Sequence, residues 1–201
     1  LKCEIEQLTG WSTALGLARA TAGKKMTHKE PSKDFKYGVL MAEHSPIRAL
    51  TYICVWTDMP YWVHVHFVRH KIGVEWFIHS QRPDSNRGKK DQDALITASC
   101  VINAQAIINI SRKRMCGRAA GETRHAWDLM LEKLEKIDPE LWMVCVPECL
   151  YRGFCPEKKS CGFSNDAMWK ILRQIYTKIG GSGTEVKKDT HRPDEASKEN
   201  K

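Results

Sequence analysis

The sequence predicts an α+β fold with a central antiparallel or mixed sheet and a long helical C-terminal half. Three observations predict it. Residues 47–56 (IRALTYICVW) are rich in β-branched and aromatic side chains, as a strand requires. Pro60 follows where it suits the first residue of a helix over Tyr61–His70. Residues 95–136 carry helical periodicity, interrupted near Gly117 and Gly121.

From the N-terminus, residues 11–22 read as a helix, and Gly23 to Lys36 as a polar, lysine-rich connection containing Pro31, with order resuming near Phe35. The strand and the Pro60 helix come next, the latter ended by Gly73. Residues 82–93 (RPDSNRGKKDQD) form a polar loop before the helical half. Ser164 caps a last helix whose apolar residues Met168, Ile171, Leu172, Ile175, Tyr176 and Ile179 follow the helical period, and Gly180 ends it. Beyond lies GGSGTEVKKDTHRPDEASKENK, without an aromatic residue and with five basic against five acidic side chains. Such a stretch buries too little to order itself. The expectation is a single domain over 1–179, including a Cys-rich segment at 145–161, and a disordered tail over 180–201.

With 201 residues, 42% hydrophobic and 28% charged, the chain is no disordered scaffold. No apolar run approaches the ~18–20 residues of a membrane span. Its net charge of +8 lies entirely in residues 1–179 and favours anionic partners. The Trp residues at 56, 62, 76, 127, 142 and 169 fall within apolar stretches and read as core, against a nucleic-acid surface that interleaves aromatics with cations. Eight cysteines and no secretion signal point to a cytoplasmic protein with free thiols or metal ligands. Cys145, Cys149, Cys155 and Cys161, spaced by four, six and six, are candidate ligands of a structural zinc, with free buried thiols the favoured alternative.

Two stretches concentrate chemistry. HVHFVRHKIGVEWFIHSQR, residues 64–82, gathers four His with Arg69, Glu75, Ser80 and Arg82. Arg69 and His70 stand at a helix end beside apolar Phe67 and Val68, where a guanidinium calls for an anion or an aromatic ring. A zinc site from His64, His66 and His70 is disfavoured, because there is no HExxH and His64 and His66 point to different sides of a helix. INAQAIINISRKRMC, residues 102–116, places Asn103, Gln105 and Asn109 in an apolar run before Arg112, Lys113 and Arg114. On one helix Asn103 and Arg114 share a face; taken alone, the stretch reads as an N-cap Asn and a basic helix end.

FVRHK at 67–71, Ser80-x-Arg82, and Asn103, Asn109 and Arg114 in that order resemble the flavin-dependent thymidylate synthase family. Its signature is Arg-His-Arg, seven residues, then Ser; this chain has Lys71 for the second Arg and eight residues before Ser80. HSP at 44–46 and LARAT at 17–21 resemble two further family segments, so the likeness spans roughly residues 8–130. Between Ser80 and Asn103 the chain is shorter than typical members, and Arg87, Lys89 or Lys90 would replace a phosphate-holding Arg of that region.

The resemblance implies a homotetramer that binds FAD and dUMP at subunit interfaces. It would convert dUMP to dTMP with methylenetetrahydrofolate as carbon donor and NADPH as reductant. Ser45, Arg69, His70, Lys71, Glu75, Asn103 and Asn109 would contact FAD. His66, Arg69, Glu75, Ser80, Gln81, Arg82 and Arg114 would hold the nucleotide, Ser80 to Arg82 at its phosphate. Arg114 would be the catalytic group, favouring the N3-deprotonated uracil. No nucleophilic Cys is then required. With His66 where the family has Gln and an extra residue before Ser80, dCMP, or a hydroxymethyl product, is the alternative; a basic nucleic-acid-binding module and an inactive relative are the other readings.

Overall fold

Alternating burial builds the sheet first. In a computed structural model, which describes residues 1–80, 82 and 91–181, β1 (Lys2–Thr9), β2 (Thr51–Pro60), β3 (Val74–Ile78) and β4 (Leu95–Asn103) form one sheet in the order β1-β2-β4-β3. Every pairing is antiparallel. One row of side chains, Cys3, Tyr52, Cys54, Trp56, Ala98, Cys100 and Ile102, is buried under helices, while Glu4, Glu6 and Glu75 on the other face are exposed, as the two-residue period of a strand demands.

The helices are α1 (Trp11–Thr21), α2 (Lys33–Met41), α3 (Tyr61–Phe67), α4 (Ala104–Arg114), α5 (Gly121–Ile137), α6 (Pro139–Val144), α7 (Glu148–Arg152) and α8 (Ala167–Gly181). Short 3-10 turns cover Ser45–Ala49 and Phe163–Asn165. An aromatic cluster joins sheet to helices: Trp56 stacks on Phe67 at 5.8 Å and on Trp127 at 6.3 Å, and Phe67 stacks on Trp76 at 5.9 Å. Buried Asp138 accepts from Trp11 Nε1 (2.9 Å), Tyr52 Oη (2.6 Å) and the Leu141 amide (3.1 Å), tying α1, β2 and α6 together. The Trp residues are core or packed against it, apart from Trp169, which is half-buried. No described helix is long and apolar enough to cross a membrane.

Several boundaries differ from the sequence reading. The helical half begins at Ala104, because 95–103 is β4, paired between β2 and β3: its burial alternates, but its outward row includes apolar Leu95 and Val101, which blurs the two-residue period in the sequence. The first strand of the reading starts at Thr51, after the Pro46-containing 3-10 turn. α2 occupies part of the expected connection, started by Ser32, whose side chain accepts from the Phe35 amide. α3 ends at Phe67, three residues early. α8 starts at Ala167, with the Asp166 carboxylate accepting from the Met168 amide at 2.7 Å, and it runs through Gly180 to Gly181. The rest of the expected tail, 182–201, lies outside the described residues, as do Gln81 and 83–90.

Candidate active site

The turn between α3 and β3 and the start of α4 are built on one another. Gly73, at φ +76°, lets the chain reverse into β3, and its carbonyl accepts from the Asn103 amide at 2.9 Å. A Cβ on Gly73 would stand 2.7 Å from the Asn103 side chain, so close approach also demands Gly. Asn103 is the N-cap of α4, its Oδ1 accepting from the Ala106 amide at 2.9 Å. The basic residues Arg112, Lys113 and Arg114 fill the last turn, where the helix dipole favours cations.

Two adjoining cavities open on this turn. One, of about 450 Å³, is lined by Arg69, His70, Lys71, Ile72, Ala106, Asn109 and Ile110. The other, of about 480 Å³, is lined by Glu43, Arg48, Ile72, Gly73, Asn103, Gln105 and Asn109. Ile72 and Asn109 belong to both. Among the described residues no carboxylate pairs with Arg48, Arg69 or Lys71. The cavities are therefore rimmed by uncompensated positive charge, the setting for a polyanionic ligand.

Arg114 stands where α4 meets the end of α3. Its Nε donates to His70 Nε2 at 3.1 Å and its Nη2 to the His66 carbonyl at 2.6 Å. Both partners are neutral acceptors. Burial, then the nearby charges of Arg114 and Lys113, pushes the His70 pKa down to about 4, so the ring accepts at Nε2 and carries its proton on Nδ1 at neutral pH. Burial, then Arg69, lowers the Arg114 pKa. His66 is lowered in the same sense by burial, Arg114 and Arg69, and its Nδ1 meets Thr123 Oγ1 at 2.8 Å. The neighbouring cations point elsewhere: Arg112 pairs with Glu43 and lies 3.6 Å over the Tyr151 ring, and Lys113 reaches Glu148 at 3.3 Å.

No family model matches the chain. A flavin-dependent thymidylate synthase of Clostridium tetani is 39% identical over 76 residues, 37% of this chain and 28% of that protein, so the match spans under a third of the relative's length. The flavin-dependent thymidylate synthase ThyX of Helicobacter pylori, solved with FAD and dUMP, superposes with a TM-score of 0.59 at 12% identity, covering 73% of this chain and all of that one. This chain has the fold of the flavin-dependent thymidylate synthases. The same architecture is shared with PolB of Streptomyces cacaoi, a UMP/dUMP methylase bound with 5-Br dUMP, at a TM-score of 0.57 and 10% identity over 76% of this chain and 96% of that one.

On this thymidylate synthase fold, Arg69, His70, Lys71, Asn103 and Asn109 come together around the two cavities, and Arg114 joins them through His70. Ser45, Glu75, Ser80 and Arg82 line neither. Ser45 is exposed in its 3-10 turn, Glu75 is exposed on β3, and Ser80 Oγ accepts from the Arg82 amide at 3.3 Å. Gln81, Arg87, Lys89 and Lys90 lie outside the described residues. Glu43, Arg48 and Ile72 line the cavities without having been singled out in the sequence. Arg48 had a signal, standing two residues after the HSP segment.

His64 is core. It is 2% exposed, edge-on to Trp76 at 5.4 Å, and burial holds its pKa down to about 4. The expected zinc set needs correction at Cys145. Its buried thiol is hydrogen-bonded with Ser111 and pushed up to about 12 by burial, and it does not line the cavity that Cys149, Cys155 and Cys161 share. Among the described residues no group of three or more His, Cys, Asp or Glu side chains is placed to hold a metal ion as it stands.

Proposed function

We propose that the protein is a flavin-dependent thymidylate synthase, methylating dUMP to dTMP with FAD as cofactor, NADPH as reductant and methylenetetrahydrofolate as carbon donor. The observation that carries the reading is Arg114, a half-buried guanidinium held only by neutral acceptors beside cavities rimmed with unpaired cations. A desolvated cation with no carboxylate partner is arranged to receive an anion.

The donor set fits FAD. Arg48, Arg69 and Lys71 offer charge to its diphosphate, the Asn109 amide offers polar contacts, and Gly73 keeps the turn close to α4. When bound, the flavin supplies the redox chemistry. The chain's own residues position and polarise. His70 stays neutral and holds the guanidinium plane, and Arg114 donates to the pyrimidine edge and stabilises the charge that grows as C5 becomes nucleophilic. His66, Ser80, Gln81 and Arg82 are assigned to the nucleotide, and Ser45 and Glu75 to FAD with Glu75 also touching the nucleotide, on the resemblance alone.

A homotetramer belongs to this reading. Its support is the helix-free sheet face, which leaves Phe77 59% exposed beside half-buried Ile53, Val55 and Val101.

A second pyrimidine substrate, dCMP, or a hydroxymethyl product, is favoured by His66, whose ring engages Thr123. Purified protein incubated with FAD, NADPH, methylenetetrahydrofolate and either dUMP or dCMP, with product mass measured, tests both. A methyl adduct on dUMP supports the main reading. No product from either nucleotide, with flavin bound, overturns it.

A further inference from the structure

The eight cysteines sort into two sets. Cys3, Cys54, Cys100 and Cys145 are buried core residues. The remaining four, Cys116, Cys149, Cys155 and Cys161, all line one enclosed cavity of about 20 Å³, room for a single water or ion. They come from three separate places: the end of α4, the start of α7, and both ends of the irregular CPEKKSC segment. We propose that Cys116, Cys149, Cys155 and Cys161 bind a structural zinc ion as a tetrathiolate site.

Three further observations support the assignment. First, the sulfurs already receive backbone donors in the manner of thiolates: Cys116 Sγ accepts from the Arg118 amide at 3.5 Å, two residues on. Cys149 is approached by the Leu150 amide and by the buried Trp169 Nε1–H, which has no other hydrogen-bond partner. Cys116 and Cys155 both lie close enough to Cys149 to act on it electrostatically.

Second, the segments touch. A Cβ on Gly117 would stand 3.1 Å from Cys161 Sγ, so the residue after Cys116 lies in close contact with the far end of the segment.

Third, main-chain pairing does not anchor the segment. Among the described residues, 154–161 make no main-chain-to-main-chain hydrogen bond, and the segment's large apolar side chain, Phe154, is 58% exposed. A ten-residue connection without secondary structure or buried apolar contacts is held in place by a cross-link or not at all.

The thiols stand around the cavity, and binding would draw them in: Zn²⁺ replaces four S–H protons, which pass to solvent, leaving a site of charge −2. Arg118, Lys158 and Lys159, next to the ligands in sequence, offset that charge. The site differs from the sequence-based set by Cys116 in place of Cys145. It stands independently of the flavin reading, although its ligand Cys116 lies two residues after Arg114 and would fix the end of α4.

The test uses the full chain purified under reducing conditions. Elemental analysis and native mass spectrometry should find one zinc per chain, and chelation should release it while making four more thiols reactive towards a thiol reagent. Cys116→Ser should lower zinc content, and Cys145→Ser should leave it at one. If Cys116→Ser fails to fold, the thiol count of the unaltered protein still decides. Metal-free protein whose four thiols react before chelation, iron in place of zinc, or a chain lighter by the hydrogens of a disulfide would each overturn the proposal.

Discussion

Replacing Arg114 by Ala separates chemistry from stability. Of the guanidinium's five N–H groups, one goes to His70 Nε2 and one to the His66 carbonyl. The others have no partner among the described residues and are available to a pyrimidine edge. A donor of this kind, fixed before the reaction and shielded from water, contributes ~3–4 kcal/mol to the transition state, a factor of roughly a hundred to a thousand in turnover. The structural loss is smaller. Two hydrogen bonds to neutral acceptors contribute ~1 kcal/mol each, and removing the cation also relieves the desolvation that lowers its pKa. Arg114→Ala should therefore melt near the parent protein, keep its flavin and lose turnover. Arg114→Lys should not rescue, since an ammonium cannot hold His70 and His66 and still present a planar fork. Lys113→Ala is the control, because that side chain is half exposed and points to Glu148. Arg112 serves less well as a control, tied as it is to Glu43 and Tyr151. The assay is single-turnover product formation at saturating nucleotide, beside a melting curve and the flavin spectrum. Arg114→Ala turning over within about threefold of the parent would refute the role.

Other outcomes follow from the same contacts. Arg69→Ala combined with Lys71→Ala should weaken FAD binding, read by flavin retained on gel filtration, while melting stays close to the parent; full flavin occupancy would contradict the cavity assignment. Arg112→Ala leaves the Glu43 carboxylate without its cation and should cost ~2–3 kcal/mol in urea denaturation; a loss below about 0.5 kcal/mol would show the pair to be solvated. Asp138→Asn replaces an acceptor shared by Trp11, Tyr52 and Leu141 and should cost ~2–3 kcal/mol without changing flavin affinity. For His64, burial holds the folded pKa near 4 against an ordinary 6.5, so between these values the unfolded chain binds a proton that the fold refuses. Stability should thus fall as pH drops through that window, by about 2 kcal/mol at pH 5 for this group, and His64→Phe should remove that share of the slope. An unchanged slope in His64→Phe would place the acid sensitivity elsewhere.

How much of this was legible in the sequence depended on where each element's partners lay. The Pro60 helix and the Asn103 cap are local signals that stand where expected, whereas Gly73 shapes the turn into β3 and the helix before it ends at Phe67. β1 gave a weaker signal. Its inward row is Cys3, Ile5 and Gln7, and Gln7 reads as polar until its bond to Tyr52 Oη is seen. β4 was hidden for the opposite reason, since Leu95 and Val101 on its outward row are apolar and mask the alternation that its burial shows. Of the site, the motif residues on one short turn were visible. Glu43 and Arg48 were not, because they approach from the turn after α2 and the 3-10 turn that follows it, which only the folded chain brings to α4.

The cysteines make the same point most sharply. Spacing within a run reports only what neighbouring residues can do together, and 145–161 offers four thiols that look sufficient. Folding removes one of them: Cys145 sits in a helix-terminal position whose side chain faces the core, against Ser111. It supplies another from before α5, because the residues that follow α4 line the same cavity as the start of α7. That turn immediately follows Arg114. A ligand set completed by Cys116 therefore joins the end of α4 to the 149–161 segment, and chelation offers a way to ask whether the guanidinium keeps its place without it. Zinc removal that leaves the fold melting cooperatively but weakens the Arg114–His70 contact, read as a rise in the His70 pKa from about 4 by NMR titration, would link the two sites. An unchanged His70 titration after chelation would confine the metal's role to the loop.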